Sequence, residues 1–201
     1  MIKCYFCASP ATYRCAVCRK PLCSNHVRIL PVCNSCISRV HKEFIIVEKA
    51  EGDVSEIRRL TSLFWGEEEQ LTFDIRLRIS ELPAYIAKSN GKLVGFISYV
   101  PFEENMLIAA LAVLPEYQGG GIGKALVLKV EEKARQLSKR RLLVSTSNDD
   151  LPALAFYQKL GFQIFEVKPN VIAEKHGQVL AGIGGIPIRD EIRLQKILIN
   201  S

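Results

Sequence analysis

The chain has 201 residues, of which 48% are hydrophobic and 24% are charged, and its net charge is +6. This length suits one domain of about 150 residues together with a small module. The apolar run 106–114 spans nine residues, whereas a membrane-spanning helix needs about 20. The first residues, MIKCYFC, lack the long apolar region and the small-residue cleavage site of a signal peptide. We therefore expect a cytoplasmic protein with no membrane partner.

The positive charge and the cysteines are concentrated at the start of the chain. Residues 1–42 carry seven Lys or Arg and no Asp or Glu, and all seven cysteines lie within residues 1–36. If the cysteines are thiolates bound to zinc, much of this positive charge balances them. A basic arm that binds nucleic acid is therefore the less favoured alternative, because few aromatic residues are available to stack on bases.

Eight potential metal ligands occur as four pairs, each separated by two residues. Eight ligands fill two tetrahedral zinc sites. Disulfides fit less well, because the cysteine count is odd and His26 stands where an eighth cysteine would fall. A segment of about 40 residues with so small a core would draw most of its folding free energy from the metal. We predict a two-zinc module over residues 1–41, with the ligands Cys4, Cys7, Cys15, Cys18, Cys23, His26, Cys33 and Cys36.

This ligand pattern resembles the cross-braced zinc fingers of the B-box and RING type. In such fingers the ligand pairs alternate between the two sites, and sequential pairing remains the alternative. Closed sites of this kind are structural, and fingers of these families bind proteins, so we expect a protein partner. The resemblance implies one site made of Cys4, Cys7, Cys23 and His26, and a second made of Cys15, Cys18, Cys33 and Cys36.

The front of the second domain, which we place at residues 42–201, predicts a strand, a helix and several further strands. Residues 44–47 are strand-like, and Asp53 has the position of a helix N-cap, with Glu56 as its capping-box partner. Apolar and polar residues then alternate over 71–79, which favours a strand over a helix. Asn90 and Gly91 predict a hairpin turn between the next two strands.

The rest of the chain is organised around the stretch 106–127, MLIAALAVLPEYQGGGIGKALV. A buried strand is followed by a glycine-rich turn and then by a helical pattern. Glycines let the backbone approach a ligand, and the first amides of a helix have no internal partner. The stretch therefore predicts an anion site at a helix N-terminus, stabilised by the helix dipole.

This stretch resembles motif A of the GNAT superfamily of N-acetyltransferases, Q/R-x-x-G-x-G/A. Gln118, Gly121 and Gly123 match the motif. In that family the loop holds the pyrophosphate of acetyl-CoA. The resemblance implies that the cofactor-binding residues here are Gln118, Gly119, Gly120, Gly121, Gly123 and Lys124.

A second stretch, 150–162, resembles GNAT motif B. Tyr157, Gly161 and Phe162 match, whereas Asp150 stands where the family has an Asn that contacts the pantetheine arm. Asn148 is a neighbour that could take over this contact. The two motifs imply a GNAT fold for the second domain, an α+β arrangement with a central, mostly antiparallel mixed sheet flanked by helices and preceded here by the small zinc-stabilised module.

The resemblance also implies a chemistry, in which a neutral amine attacks the thioester of acetyl-CoA directly. The backbone N–H of Leu111 would bind the acetyl carbonyl, Val113 would lie along the pantetheine, and Tyr157 would protonate the leaving thiolate. The base stays open, with candidates among Glu103, Glu104, the run 67–69 and Glu191.

We therefore expect an N-acetyltransferase whose zinc finger binds a protein. The alternative is a protein that binds acetyl-CoA without turnover and acts as a sensor or scaffold. The intact Gln118 and Tyr157 favour the enzyme, and Asp150 in place of the family Asn keeps the alternative open. The acceptor, whether a small amine, a protein N-terminus or a lysine, cannot be read from the sequence.

Overall fold

The computed structural model describes residues 2–5, 7–11, 13–14, 20–23 and 43–198. In the N-terminal pieces, β1 (Tyr13–Arg14) and β2 (Pro21–Leu22) pair antiparallel. The predicted division of the chain after residue 41 falls among residues outside the described ranges and stays a prediction. None of the helices in the described part of the chain combines the length and the apolar character needed to cross a bilayer.

The second part of the chain consists of strands and helices in an irregular alternation. The helices are α1 (Val54–Trp65), α2 (Ile122–Gln136), α3 (Leu151–Lys159) and α4 (Val171–His176). The strands are β3 (Ile45–Glu48), β4 (Glu69–Thr72), β5 (Ile75–Arg78), β6 (Ala84–Ser89), β7 (Lys92–Phe102), β8 (Asn105–Val113), β9 (Arg141–Ser147), β10 (Gln163–Lys168), β11 (Leu180–Ala181), β12 (Pro187–Ile188) and β13 (Glu191–Ile197).

Seven of these strands form one sheet in the order β10-β13-β9-β8-β7-β6-β3. Within the described strands of this sheet, every neighbouring pair is antiparallel except β8 and β9, which run parallel. The parallel pair needs a crossover, and helix α2 supplies it. The expected mixed, mostly antiparallel sheet is thus confirmed.

Helices cover both faces of the sheet. Phe96 and Ile97 are neighbours in β7 and both are fully buried, yet they belong to two different apolar clusters. This follows from the alternation of side chains along a strand. Helix α1 packs on the Phe96 side through Ile57 and Leu60. Helix α2 packs on the Ile97 side through Ile122, Leu126, Val127, Val130 and Ala134.

The hairpins form where the sequence predicts them. Asn90 and Gly91 have φ values of 49° and 76°, the left-handed conformations that a two-residue turn between twisted strands requires. The strand prediction for 71–79 is also confirmed, but as a hairpin. Phe73 and Asp74, with φ values of 49° and 62°, turn the chain between β4 and β5.

Two local features differ from the sequence reading. Asp53 is the N-cap residue of α1, as predicted, but its side chain makes no bond to the first amides of this helix. It accepts a hydrogen bond from the N–H of Ala50 at 2.9 Å and pairs with Lys88 at 2.9 Å, which draws it away from the helix end. Helix α4 was not predicted, because its six residues are too few to show a helical period.

The β4–β5 hairpin lies outside the main sheet, and its tip docks on β13. The Nη2 atom of Arg193 lies 2.9 Å from Asp74 Oδ2 and 2.8 Å from Glu191 Oε2, and its Nη1 lies 3.0 Å from Glu166 Oε2. The backbone N–H of Phe73 donates to Glu191 Oε1 at 3.0 Å. The side chains of Arg193 and Glu191 are only 6% and 4% exposed. The hairpin is therefore held on the sheet by the Asp74–Arg193 ion pair and the Phe73–Glu191 hydrogen bond, whereas the buried Arg193–Glu191 pair lies within β13.

Replacing Arg193 by leucine should lower the free energy of unfolding by about 3–5 kcal/mol, because it leaves the buried carboxylate of Glu191 without its partner. Arg78 is a matched control, since its ion pairs with Glu69 and Glu81 are half exposed. Arg78→Leu should cost less than about 1 kcal/mol. Urea unfolding of both variants makes the comparison, and equal losses would contradict a structural role for the Arg193 cluster.

Candidate active site

The site begins where β8 and β9 separate. Their parallel pairing covers four residue pairs, from Asn105–Arg141 to Ile108–Val144. Both strands continue beyond this point, β8 to Val113 and β9 to Ser147, without pairing to each other. The backbone groups on the inner edge of each strand are therefore open to a ligand.

The pairing of β8 with β7 determines which β8 groups face this opening. The N–H of Leu114 donates to Val94 O at 2.9 Å. Opposite residues of an antiparallel pair alternate between bonded and non-bonded, so Ala112 bonds to β7, while Leu111 and Val113 direct their N–H and C=O groups into the opening. The carbonyl of Val113 accordingly accepts a hydrogen bond from Gln118 Nε2 at 2.8 Å.

The glycine-rich turn after β8 leads directly into helix α2. Gly119 and Gly121 have φ values of 80° and 88°, which favour glycine. Gly121 is the N-cap residue and offers no side chain to the first amides of the helix, and the first turn of this described helix carries no carboxylate. Lys124 is exposed on the same turn. The turn thus combines unpaired N–H donors, a helix dipole and a cation, which suit an anion.

Gly123 is required for packing between helices, whereas Gly119 and Gly121 are required for their positive φ values. A Cβ atom at Gly123 would lie 3.3 Å from Cζ of Phe156. The glycine therefore permits the close approach of α2 and α3, which together flank the opening. At Gly121 a Cβ would meet no atom within 4 Å. Gly121 is therefore the position where a substitution changes the anion site without disturbing the packing.

A cavity of about 350 Å³ lies at the opening between the two strands. Its walls are the separated parts of β8 and β9, the start of α3, the end of α1, the β4–β5 hairpin and helix α4. This volume is at the lower end of the range for small-molecule sites. Among the predicted site residues, the lining includes Leu111, Asp150 and Tyr157.

Tyr157 lies on α3 with its ring in an aromatic cluster. The ring packs edge-on against Phe156 and Phe162, with centroid distances of 5.1 and 5.3 Å. The residue is 5% exposed and lines the cavity. Burial raises the pKa of the Tyr157 phenol well above its ordinary value, and the negative charge of Asp150 raises it further. The phenol is therefore protonated throughout the physiological range and can donate a hydrogen bond.

Asp150 caps α3 and faces the cavity. Its Oδ1 accepts the N–H of Ala153 at 3.0 Å, and its Oδ2 accepts the hydroxyl of Thr146 at 3.3 Å. Burial raises the pKa of the Asp150 carboxyl, against the opposing effect of these two hydrogen bonds. A carboxylate here can accept a hydrogen bond from a ligand but cannot donate one, which is the chemical difference from an asparagine.

Asn148 lies on the other side of the strand end. Its amide donates to Pro187 O at 2.9 Å, and its carbonyl accepts the N–H groups of Arg189 and Asp190. The side chain thus connects β9 to the segment before β13, and it is not among the residues that line the cavity. Asp150 is therefore the residue of this pair that lines the cavity.

The structure separates the candidate bases into two groups. Glu103 and Glu104 form the turn between β7 and β8, at the opposite end of β8 from Val113. Glu67 and Glu191 line the cavity. Glu191 uses both of its oxygens to hold Phe73 and Arg193. Glu67, which forms an ion pair with Lys175 of α4 and is 39% exposed, is the carboxylate that connects the cavity to solvent.

Several cavity residues were not predicted from the sequence. Thr72 Oγ1 and Ser145 Oγ lie 2.8 Å apart and connect the hairpin to β9. Lys175 and His176 belong to helix α4. Outside the lining itself, the buried Asp149 accepts the N–H of Ile183, which holds the loop after β11. No motif marks these positions, because they come together only through the hairpin and the C-terminal segment.

Three of the predicted zinc ligands lie in the described N-terminal pieces, and they come together. The Sγ atoms of Cys4, Cys7 and Cys23 all lie within 4.8 Å of one another. The Cys7 and Cys23 sulfur atoms are 3.7 Å apart. Thiolates about 2.3 Å from a tetrahedral zinc would be about 3.8 Å apart, whereas a disulfide holds its sulfurs at about 2.05 Å. These three residues therefore fit one zinc site. The other five predicted ligands, Cys15, Cys18, His26, Cys33 and Cys36, lie outside the described residues.

Comparison with known proteins gives a consistent result. Residues 53–162 match the model of the acetyltransferase (GNAT) family. An uncharacterized protein, YdhI of Bacillus subtilis, is 36% identical over 148 residues, which are 69% of this chain and 91% of the relative.

Solved structures share the fold. An IAA acetyltransferase from Bacillus cereus superposes with a TM-score of 0.61 at 25% identity, covering 78% of this chain and 100% of that one. A GNAT family acetyltransferase from Elizabethkingia anophelis, solved with acetyl-CoA bound, gives a TM-score of 0.61 at 24% identity, covering 77% and 98%.

Proposed function

Because this chain belongs to the acetyltransferase (GNAT) family and is an acyltransferase of that type, we propose that it moves an acetyl group from acetyl-CoA to a primary amine by direct attack. The observation that carries the proposal is the separation of β8 and β9, with the N–H of Leu111 directed into the cavity. Bound acetyl-CoA supplies an activated thioester, and the residues of this chain bind it, orient the amine and move the protons.

The turn before α2 binds the pyrophosphate. The N–H groups around Gly119, Gly120 and Gly121 and the first turn of α2 are the donors, and Lys124 adds a positive charge. Gly123 allows α3 to close the other side. The side chain of Gln118 donates a hydrogen bond to Val113 O in the present structure. When the pantetheine arm pairs with Val113, its amide N–H replaces Gln118 as the donor to this carbonyl. Each N-terminal helix contact of this kind contributes about 0.3–1 kcal/mol.

The N–H of Leu111 binds the acetyl carbonyl oxygen. Its direction is fixed by the β7–β8 pairing, so no reorganisation is needed as negative charge develops on that oxygen. A donor of this kind contributes about 2.7–4 kcal/mol to the stability of the transition state. Because the donor belongs to the backbone, an apolar strand can perform this task.

Tyr157 donates the proton to the leaving sulfur. The pKa of its phenol is raised by burial, and the same dry surroundings disfavour a thiolate. The proton therefore has a strong acceptor at the moment the C–S bond breaks. Asp150 faces the same space and accepts a hydrogen bond from the pantetheine arm in place of the family asparagine.

The attacking amine must lose a proton, and Glu67 is the residue we assign to receive it. It lines the cavity and its side chain is 39% exposed, so the proton can pass on to solvent. Its partner Lys175 belongs to α4, and the pair positions the carboxylate at the edge of the cavity. Glu191 is the weaker candidate, because its oxygens are occupied by the hairpin.

We assign residues 1–41 to a two-zinc module that binds a protein partner. The gathering of Cys4, Cys7 and Cys23 supports alternating pairing, since sequential pairing would place Cys23 in the other site. The remaining ligand of this site would be His26, and the second site would take Cys15, Cys18, Cys33 and Cys36.

The cofactor assignment is tested at Gly121. Gly121→Glu should abolish acetyl-CoA binding, because a carboxylate then stands at the pyrophosphate position. Gly121→Ala is the matched control, since it shares the unfavourable positive φ but adds no charge and has free space for its methyl group. Calorimetric titration measures both, and equal affinities for the Glu variant and the unmodified chain would show that the pyrophosphate binds elsewhere.

The acid is tested with Tyr157→Phe. The ring and its aromatic contacts remain, so cofactor affinity should change little, while the single-turnover rate should fall by about 10²–10⁴. Tyr99→Phe is the matched control, because Tyr99 is equally buried but lies outside the cavity. A single-turnover rate that is the same in Tyr157→Phe and Tyr99→Phe would eliminate Tyr157 as the acid.

The metal assignment predicts two zinc ions per chain in elemental analysis of the purified protein. Cys23→Ala should remove one ion and unfold residues 1–41, because this residue is one of the gathered ligands. Residues 43–198 have their own core and should keep their thermal transition. A zinc content of one or none in the unmodified chain would refute the two-site module.

A further inference from the structure

The β4–β5 hairpin covers the cavity, and we call it the roof. It is bonded to β9, one of the two separated strands. Strand β4 of the hairpin crosses the opening, and Thr72 Oγ1 lies 2.8 Å from Ser145 Oγ. Ser145 follows immediately after Val144, the last β9 residue paired with β8. Thr72 is 5% exposed. The hairpin therefore closes the path that an extended peptide would take across the end of β9.

The tip of the same hairpin is fixed to the next strand, β13. The N–H of Phe73 bonds to Glu191, and Asp74 pairs with the buried Arg193. The ring of Phe73 also stacks with Phe165 of β10 at a centroid distance of 6.3 Å. Three independent contacts thus hold the roof in place, and one of them is an ion pair with a buried arginine.

A second element closes the remaining side. Helix α4 contributes Ile172, Lys175 and His176 to the lining, and Lys175 forms an ion pair with Glu67 at the start of the hairpin. The space beside Leu111, where we place the acetyl group, is thus bounded by the hairpin on one side and by α4 on the other. What remains is a partly open cavity of about 350 Å³, which we call the chamber.

We propose that the acceptor is a small, positively charged primary amine that enters this chamber as a whole, and not a lysine or N-terminus on a protein. This inference rests on the proposed acetyl transfer and names its substrate class. A peptide main chain would need an open path along the strand ends. Thr72 lies on that path through its contact with Ser145, and the contacts of Phe73 and Asp74 hold it there. A small molecule needs only the chamber.

The charge of the lining agrees with this class. Among the described lining residues, Glu67, Asp150 and Glu191 are acidic, whereas Lys175 is the basic residue besides His176. An amine with a pKa near 10 arrives protonated. Lys175 neutralises Glu67 and Arg193 neutralises Glu191, so the attraction comes from Asp150, which forms no ion pair among the described residues. The protonated amine first loses one proton to Glu67, which passes it to solvent, and the neutral nitrogen then forms the bond to the acetyl carbon. The C–S bond breaks as Tyr157 donates its proton to sulfur, and the second proton that the nitrogen loses as the amide forms restores the Tyr157 phenol.

The test follows labelled acetyl groups without assuming an acceptor. Acetyl-CoA carrying a labelled acetyl group is incubated with the full chain and a whole-cell extract, and ultrafiltration then separates small molecules from proteins. We expect the label in the small-molecule fraction, in amide linkage. Label in the protein fraction alone would overturn the inference while supporting acetyl transfer. Label in neither fraction, with acetyl-CoA binding intact, would overturn both.

Variants that loosen the roof test its role. Thr72→Val removes the bond to Ser145 and keeps the side-chain shape, and Asp74→Asn removes the ion pair and tolerates the turn conformation. The double variant should raise transfer to a lysine peptide relative to small amines by about tenfold or more, a change within the range that pocket contacts control. Acetyl-CoA affinity should be unchanged, because neither residue belongs to the proposed cofactor site.

Glu132→Gln is the matched control, since it removes an exposed ion pair on α2, away from the chamber. It should leave the ratio of peptide to small-amine transfer as it is in the unmodified chain. A roof variant whose ratio equals that of the control would show that the hairpin does not select the acceptor, and would overturn the inference even if transfer itself is found.

Discussion

The whole site depends on how far β8 and β9 stay paired. Four residue pairs of parallel ladder hold the two strands together, and beyond Ile108 and Val144 they separate. The separation opens the inner edge of β8, where the pairing with β7 has already fixed the direction of Leu111 and Val113. A sheet that stayed closed to the end of both strands would satisfy these groups internally and leave no place for a thioester.

Opening the sheet exposes polar backbone and apolar surface, and other parts of the chain cover them. The β4–β5 hairpin crosses the opening, and its tip is held on β13 because Asp74 pairs with the buried Arg193 and the N–H of Phe73 bonds to Glu191. Helix α4 covers the other side through Lys175. These elements lie outside the main sheet and border the cavity, and our proposal assigns the selection of the acceptor to them.

The sequence was informative where local chemistry dictates structure. The left-handed turn at Asn90 and Gly91, the strand before Gln118 and the helix after Gly121 all follow from residue types and periods. It was uninformative where distant segments meet. Nothing local indicates that Thr72 and Ser145 line one cavity or that Arg193 holds the hairpin beside it. Asp53 resembled a helix cap, but Lys88 and the N–H of Ala50 bind it instead. The side chain of Asn148 bonds to the backbone before β13, which the sequence did not indicate, and its contact with the cofactor stays a prediction.

The central claim is that the open edge of β8 receives the thioester, and amide hydrogen exchange at Leu111 tests it most directly. With saturating acetyl-CoA, exchange at Leu111 should slow strongly relative to the free chain. With CoA alone, Leu111 should remain closer to the free rate, because the acetyl carbonyl that accepts its N–H is missing, while the turn at 119–121 should be protected in both cases. Exchange at Leu111 that is the same in all three states, with the turn protected, would contradict the account.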